Sequence, residues 1–345
     1  MKSEILTKEQ GAEFFRSLWK YIEDDDVTDI DYNTHQLWIK RVNHIPELIV
    51  DAEITDSFIS NLANRISNKA GKTYNQEKKQ LCTDFGYLRI TCVHELLSIS
   101  GVSMSIRKSL PSLRITEESA LKEGYCDEQT LRMLINCVLA QRNFVFAGEP
   151  GKGKTECGKF LSSYNPAHRK VITIGDTPEW HYSALNPGKN AIEIKSTGMD
   201  MAEILATVLR LNPAWIFMEE ARSREVRYLL EAWSNGIGTM TTLHVDDIAS
   251  IPDRIMNMLE TRQDAERIVN QVYNDVGVGV LLKEDEMSDG NTKHYISQVG
   301  FFYRKDGKNG LALVVEEGKI YPDRIPDFIR RNIENRIGRD IFSKG

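Results

Sequence analysis

In the second half of the chain, short unbroken apolar runs alternate with stretches of helical spacing. Phe144, Val145 and Phe146, within residues 143–147, predict a short buried strand, and residues 156–164 behind it read as a helix. Leu131, Leu134, Ile135, Val138 and Leu139 recur at helical spacing ahead of that strand. Residues 170–174 predict a second strand. Met201, Ile204, Leu205, Val208 and Leu209 mark a helix that stops near Asn212-Pro213, followed by a buried strand over 215–218 that runs into Glu219-Glu220. Val226, Leu229, Leu230 and Trp233 predict a further helix closed by Gly236, and residues 239–243 a strand ending at His244. This alternation predicts a parallel sheet with helices packed against it, and such sheets bind ligands at the carboxyl ends of their strands. Gly148, Asp176, Glu179, Glu220 and His244 all fall just beyond such ends.

The first part of the chain has a different rhythm. Phe14, Phe15, Leu18, Trp19 and Ile22 share one helical face that runs into an acidic turn, Glu23-Asp24-Asp25-Asp26. Leu37-Trp38-Ile39 is a candidate strand, and Phe58, Leu62 and Ile66 suggest a helix after it. Val102, Met104 and Ile106 alternate with Ser103, Ser105 and Arg107, which puts Arg107 on the open side of a sheet. The pattern lapses around Leu110-Pro111-Ser112 and resumes at Asp127. The expected organisation is therefore a smaller α+β domain over 1–110, a linker over 111–126 and an α/β domain over 127–345. Strands over 276–282, 295–303 and 311–315, joined by turns at Asp289-Gly290 and Asp306-Gly307, complete the second domain. A final helix carries Arg324, Arg330, Arg331, Arg336 and Arg339 among acidic residues. It reads as a solvated helix with internal charge pairs, or else as a docking face for an acidic partner or membrane surface.

Composition narrows the picture without specifying it. With 345 residues, 41% of them apolar and 27% charged, the chain is long enough for about two ordinary globular cores. No run approaches a membrane-spanning length and the first residues lack the apolar segment of a signal peptide, so a cytoplasmic location is expected. The five cysteines are scattered and never spaced C-x-x-C, which indicates neither a disulfide framework nor a zinc site. A net charge of -6 argues against a broad nucleic-acid footprint.

The chemistry concentrates in Gly148-Glu149-Pro150-Gly151-Lys152-Gly153-Lys154-Thr155, which matches G-x-x-x-x-G-K-[ST] between a strand and a helix. Glycines let several backbone N–H groups turn toward one anion, and the helix start adds its positive dipole end. In this pattern Lys154 reaches the β- and γ-phosphates, the Thr155 hydroxyl holds Mg²⁺, and the loop with Glu156 at the helix start forms the nucleotide contact. Glu220, an acid at the end of an apolar strand, is the candidate for the metal's water shell. Glu179 follows a strand in Gly175-Asp176-Thr177-Pro178-Glu179, which is equally good turn chemistry. His244 on its own reads more readily as a structural histidine.

Together these segments resemble the VirB11/CpaF branch of secretion ATPases, P-loop NTPases that act as hexameric motors of type IV secretion, conjugation and Flp/Tad-type pilus systems. Residues 172–179 look like the family's Asp box. Leu209-Arg210-Leu211-Asn212-Pro213 through Glu220-Ala221-Arg222 looks like its Walker B region, and residues 238–244 like the second half of its His box. Gly86-Tyr87-Leu88-Arg89 and Ser105-Ile106-Arg107-Lys108 are similar to segments whose arginines reach nucleotide phosphates in the family. The resemblance implies a RecA-like ATPase domain behind a smaller α+β domain, with ATP and Mg²⁺ between them and Arg89 and Arg107 on the phosphates. It implies Glu179 orienting the attacking water and Glu220 serving the metal, roles that could be exchanged, and Arg222 and His244 sensing the γ-phosphate. It further implies a homo-hexamer without a transmembrane segment or direct nucleic-acid contact, held at the inner face of the membrane by platform or channel proteins.

Several positions depart from that pattern. Gly175 stands where the family usually has Glu, Ala214 where it has Asp, and Glu219 where a Gly usually precedes the Walker B acid. One residue is missing near Gly236-Ile237-Gly238, the first His of the His box is absent, and Glu149-Pro150-Gly151-Lys152 replaces a more neutral run. The departures suit a slow or regulated enzyme. They also keep open a nucleotide-binding scaffold with little turnover and a RecA-like nucleic-acid motor.

Overall fold

The computed structural model describes residues 7–220, 225–259 and 264–344. It divides into two compact units, residues 1–110 with 286–292 and residues 111–285 with 293–345.

In the first unit the amino-terminal helical face is broken in two. Helix α1 (Lys8–Phe15), capped by Thr7, gives way to a single 3₁₀ turn and then α2 (Trp19–Glu23), because Arg16 takes a positive φ of 48°. The strands β1 (Val27–Asn33), β2 (Gln36–Arg41), β3 (Glu47–Ile49), β4 (Gln80–Phe85), β5 (Leu88–Val93) and β6 (Ser103–Lys108) form one antiparallel sheet in the order β3-β2-β1-β6-β5-β4. One face of the sheet is apolar: Ile30, Ile39, Ile90, Met104 and Ile106 pack with Phe15 and Ile22 and with Ile59, Leu62 and Ile66 of α3 (Asp56–Lys69). Period-2 alternation leaves Arg107 on the opposite, exposed side, as its sequence context predicts. The short segment 286–292 belongs here too, through a bridge between His44 and Asn291 and a hydrogen bond from the Ile45 N–H to the Gly290 carbonyl at 3.1 Å.

The second unit is built on a nine-stranded sheet. Its strands are β7 (Phe144–Ala147), β8 (Val171–Gly175), β9 (Ala191–Lys195), β10 (Trp215–Met218), β11 (Gly238–Leu243), β12 (Val278–Glu286), β13 (Thr292–Lys305), β14 (Lys308–Glu316) and β15 (Lys319–Ile320). The order is β15-β14-β13-β12-β7-β11-β10-β8-β9, and the strands from β12 to β9 run parallel to one another. Successive side chains on each central strand serve different cores. Phe144, Phe146, Trp215 and Phe217 face one, with α5 (Glu128–Leu139) and α6 (Lys154–Ser162), while Val145, Ala147, Ile216 and Met218 face the other. That second face is covered by α8 (Met201–Arg210), α9 (Glu225–Ser234), α10 (Ile251–Met258) and α11 (Ala265–Asp275), after the single turn α7 (Tyr182–Leu185) on the β8–β9 connection. Burial on both faces is why the strands read as unbroken apolar runs.

Two expectations about this unit need correcting. Residues 111–126, read as a linker, carry α4 (Glu117–Lys122) and place Ala120, Tyr125 and Cys126 in the second unit's core. The carboxyl-terminal arginines do not all sit on one helix: α12 covers Asp327–Ile337, with Arg324 in a 3₁₀ turn before it and Arg339 beyond its end. Several of them bond to their own chain. Arg336 Nη1 donates to the Ala140 carbonyl at 3.0 Å, and Arg339 donates through Nε and Nη2 to Asn136 Oδ1. Among the described residues no helix is long and apolar enough to cross a membrane.

Candidate functional site

Strand β7 ends in the glycine-rich loop, which turns directly into α6. Gly148 has a φ of 143°, and a Cβ on it would come within 2.7 Å of the Leu282 carbonyl on β12, so only glycine lets the loop leave the sheet here. Gly153 precedes the helix in the left-handed region. Lys154, only 8% exposed, donates from Nζ to the carbonyls of Gly148 at 2.8 Å and Glu149 at 2.7 Å, its ammonium enclosed by the loop it belongs to. Burial pushes its pKa down to about 8, against the opposing influence of Glu220, Glu149 and Glu179. Glu149, Pro150 and Gly151 form the exposed rim of the loop, and Thr155 stands half-buried in the first turn of α6. Lys152 does not face solvent alone, since its Nζ lies 3.0 Å from Glu284 Oε2 on β12. Glu156 accepts from Lys159 Nζ at 2.7 Å, one turn along its own helix.

The parallel register brings the ends of β11 and β10 alongside. Leu243 pairs with Ala147 and Thr241 with Met218, so His244 and Glu220 emerge at the same edge as the loop. His244 Nδ1 lies 3.2 Å from Lys154 Nζ, and its Nε2 lies 3.1 Å from Glu220 Oε1. The Gly148 backbone bonds the same ring, and with the ammonium donating to Nδ1 the ring proton would stand on Nε2 toward Glu220. Burial and the Lys154 charge hold the His244 pKa below its ordinary value, with Glu220 opposing them, so the neutral ring is favoured. Lys154, His244 and Glu220 thus form one continuous polar chain.

The segment after β8 supplies another carboxylate. Trp180, 1% exposed, packs its ring 4.9 Å from that of Phe217 on β10 and lies over Gly158 of α6, where an added Cβ would sit 2.4 Å from the indole. Asp176 accepts from Ser196 Oγ at 2.8 Å. Between these two anchors the Glu179 N–H donates to Glu219 Oε1 at 2.6 Å. Sequence reasoning treats Glu219 only as a departure and misses Trp180 and Gly158. A glycine mid-helix and an isolated tryptophan directly after Glu179 are the signals that pair them.

Arg89 and Arg107 face each other in register on β5 and β6 of the first unit, where Arg107 Nε pairs with Asp29 Oδ1 at 2.9 Å. Arg222 lies outside the described residues.

The model of the type II/IV secretion system protein family matches residues 88–276, from β5 through α11 and including the loop and all three strand ends just described. An uncharacterized protein of Bacillus anthracis is 29% identical over 68% of this chain and 53% of its own length. The type IV secretion system protein VirB11 of Bartonella quintana is 31% identical over 37% of each chain. The chain therefore spans about half the length of the first of these relatives and about a third of the second. Among solved structures, the ATPase DotB of Yersinia pseudotuberculosis has the same fold, with a TM-score of 0.62 over 89% of this chain and 82% of that one at 14% identity. Since the family's model covers more than half of the chain, including the glycine-rich loop with β7, β8, β10 and β11, the chain belongs to the type II/IV secretion system protein family.

Proposed function

We propose that the chain hydrolyses ATP as the motor subunit of a type IV secretion, conjugation or Flp/Tad-type pilus machine, acting as a homo-hexamer at the cytoplasmic face of a membrane. The observation that carries this reading is the chain Lys154–His244–Glu220 at the mouth of the glycine loop, with Glu179 delivered to the same strand edge. A buried cation held by two carbonyls of its own loop and a histidine nitrogen fits a triphosphate, whose oxygens are stronger acceptors for it. Backbone N–H groups of residues 149 and 151–155, at the start of α6, would hold the phosphates, and Lys154 would neutralise the β- and γ-oxygens. Thr155 and, through water, Glu220 fit Mg²⁺, which keeps much of its hydration and is bound by few protein oxygens. When bound, that ion withdraws charge from the phosphate being cleaved.

Glu179 orients the attacking water, and its role could be exchanged with that of Glu220. His244, neutral and bonded on both sides, is the group whose partners change when a γ-phosphate competes for Lys154. Arg222, Arg89 and Arg107 are proposed as further phosphate contacts, and membrane platform or channel proteins as the partners.

Steady-state phosphate release tests the reading. Wild-type protein should turn over Mg-ATP, and Lys154→Ala should lower the rate by roughly two orders of magnitude. A wild-type protein that binds ATP without releasing phosphate would make it a nucleotide-dependent scaffold instead, and stimulation by DNA or RNA would make it a nucleic-acid motor.

A further inference from the structure

Glu219 occupies a space that the neighbouring strand leaves open. The register of β10 against β8 pairs Met218 with Ile174, and the Glu219 N–H donates to the Ile174 carbonyl at 3.2 Å, which brings Glu219 beside Gly175. A Cβ placed on Gly175 would lie 2.0 Å from Glu219 Cδ and 2.1 Å from Oε2, so no side chain could stand at 175 while this carboxylate is where it is. Two departures that look independent along the sequence are therefore one exchange. Against the family pattern that the sequence resembles, the acid expected at 175 stands at 219 and the glycine expected at 219 stands at 175.

Glu219 is held at its main chain and at its carboxylate. Thr242 Oγ1 on β11 donates to the Glu219 carbonyl at 2.6 Å, and Oε1 accepts from the backbone N–H of Glu179 at 2.6 Å. A charged acceptor on a main-chain donor makes a strong bond that sets the backbone of Glu179 without using that residue's own carboxylate. Trp180 anchors the next residue under α6, so the Glu179 backbone is held from two sides. We infer that Glu219 is the positioning residue that aims Glu179, and that Gly175 is its required complement. This rests on the ATPase reading above, because the step it serves is the placement of the attacking water.

The test is a double-mutant cycle on the full chain. Glu219→Ala should lower kcat roughly tenfold or more with KM for ATP within about twofold, since the bond it removes is to the Glu179 backbone. Glu219→Gln keeps an oxygen acceptor and should stay within about threefold of wild type. In a Glu179→Ala background, Glu219→Ala should cost nothing further, because the residue it aims is gone. Gly175→Glu alone should impair the enzyme, and adding Glu219→Gly should restore much of the loss.

Hydrogen exchange provides a readout independent of turnover. Exchange across residues 176–181 should speed up in Glu219→Ala while that of α6 is unchanged. A wild-type kcat in Glu219→Ala, an undiminished loss in the Glu179→Ala background, or unchanged exchange across 176–181 would overturn the inference. Absence of phosphate release by the wild-type protein would overturn the ATPase reading instead, while faster exchange in Glu219→Ala would still support the positioning of Glu179.

Discussion

Raising the pH from 7 to 9 should remove the proton from Lys154 in the free protein and leave the phosphate loop without its cation. The group's pKa is pushed down from 10.5 to about 8, chiefly by burial, and it is lower still without Glu220, Glu149 and Glu179 nearby. The sign follows directly: below about 8 the ammonium is present and can grip phosphate, and above it the neutral amine cannot. With a pKa of 8 the charged fraction falls from roughly 90% at pH 7 to roughly 10% at pH 9, a factor of about ten, or about 1.4 kcal/mol of nucleotide capture. Because kcat/KM reports the free enzyme, it should be level up to about pH 8 and then fall toward tenfold per unit. In kcat the break should move to higher pH, because bound phosphate adjacent to the ammonium raises its pKa. The assay is initial phosphate release at ATP well below KM, with excess Mg²⁺ and constant ionic strength. Lys154→Arg keeps its charge throughout the range, so whatever activity it retains should show no break near 8. His244 titrates on the acid side of this window and does not imitate the effect. A level wild-type profile from pH 7 to 9, or the same break in Lys154→Arg, would refute the assignment of Lys154 as the cation whose burial governs nucleotide capture.

Two further predictions concern packing. Trp180→Ala empties a site that is 1% exposed, and should cost about 3–5 kcal/mol, read as a drop in the midpoint of thermal unfolding, with Trp180→Phe costing clearly less. Asn136, fully buried, donates to the carbonyls of Ile341 at 2.8 Å and Ser343 at 3.0 Å and accepts from Arg339. Asn136→Leu strands those partners, so a loss of about 3 kcal/mol and earlier proteolytic cleavage beyond α12 are expected.

What could be read along the chain is what is encoded by neighbours in sequence. β7 and β10 are buried along their whole length, so Phe144-Val145-Phe146 and Trp215-Ile216-Phe217-Met218 announce themselves, and the glycine loop sits between a strand and a helix as its motif demands. Strands that mix polar with apolar residues are less legible. β9 pairs with β8 alone and mixes Glu193 and Lys195 with its isoleucines, and β1 alternates Ile30 and Tyr32 with Asp29 and Asp31, which reads as polar chain until β6 is opposite. The interval 111–126 lacks a strong period because α4 contributes one buried residue, Ala120, to the core. The relation of Gly175 to Glu219 depends on which strand lies beside which, and nothing local to either residue carries that information.

The contact between Trp180 and Gly158 joins two parts of the second unit that the chain keeps separate. Gly158 lies four residues beyond Lys154 on the same helix, one turn from the loop, and the indole rests on bare backbone there. A side chain at that point could rotate and absorb a displacement, whereas a ring against backbone passes it on. On the function proposed, a small tilt of α6 as its first turn takes up charge would be passed by the indole to the residue beside it, which would link loading of the loop to the aim of Glu179.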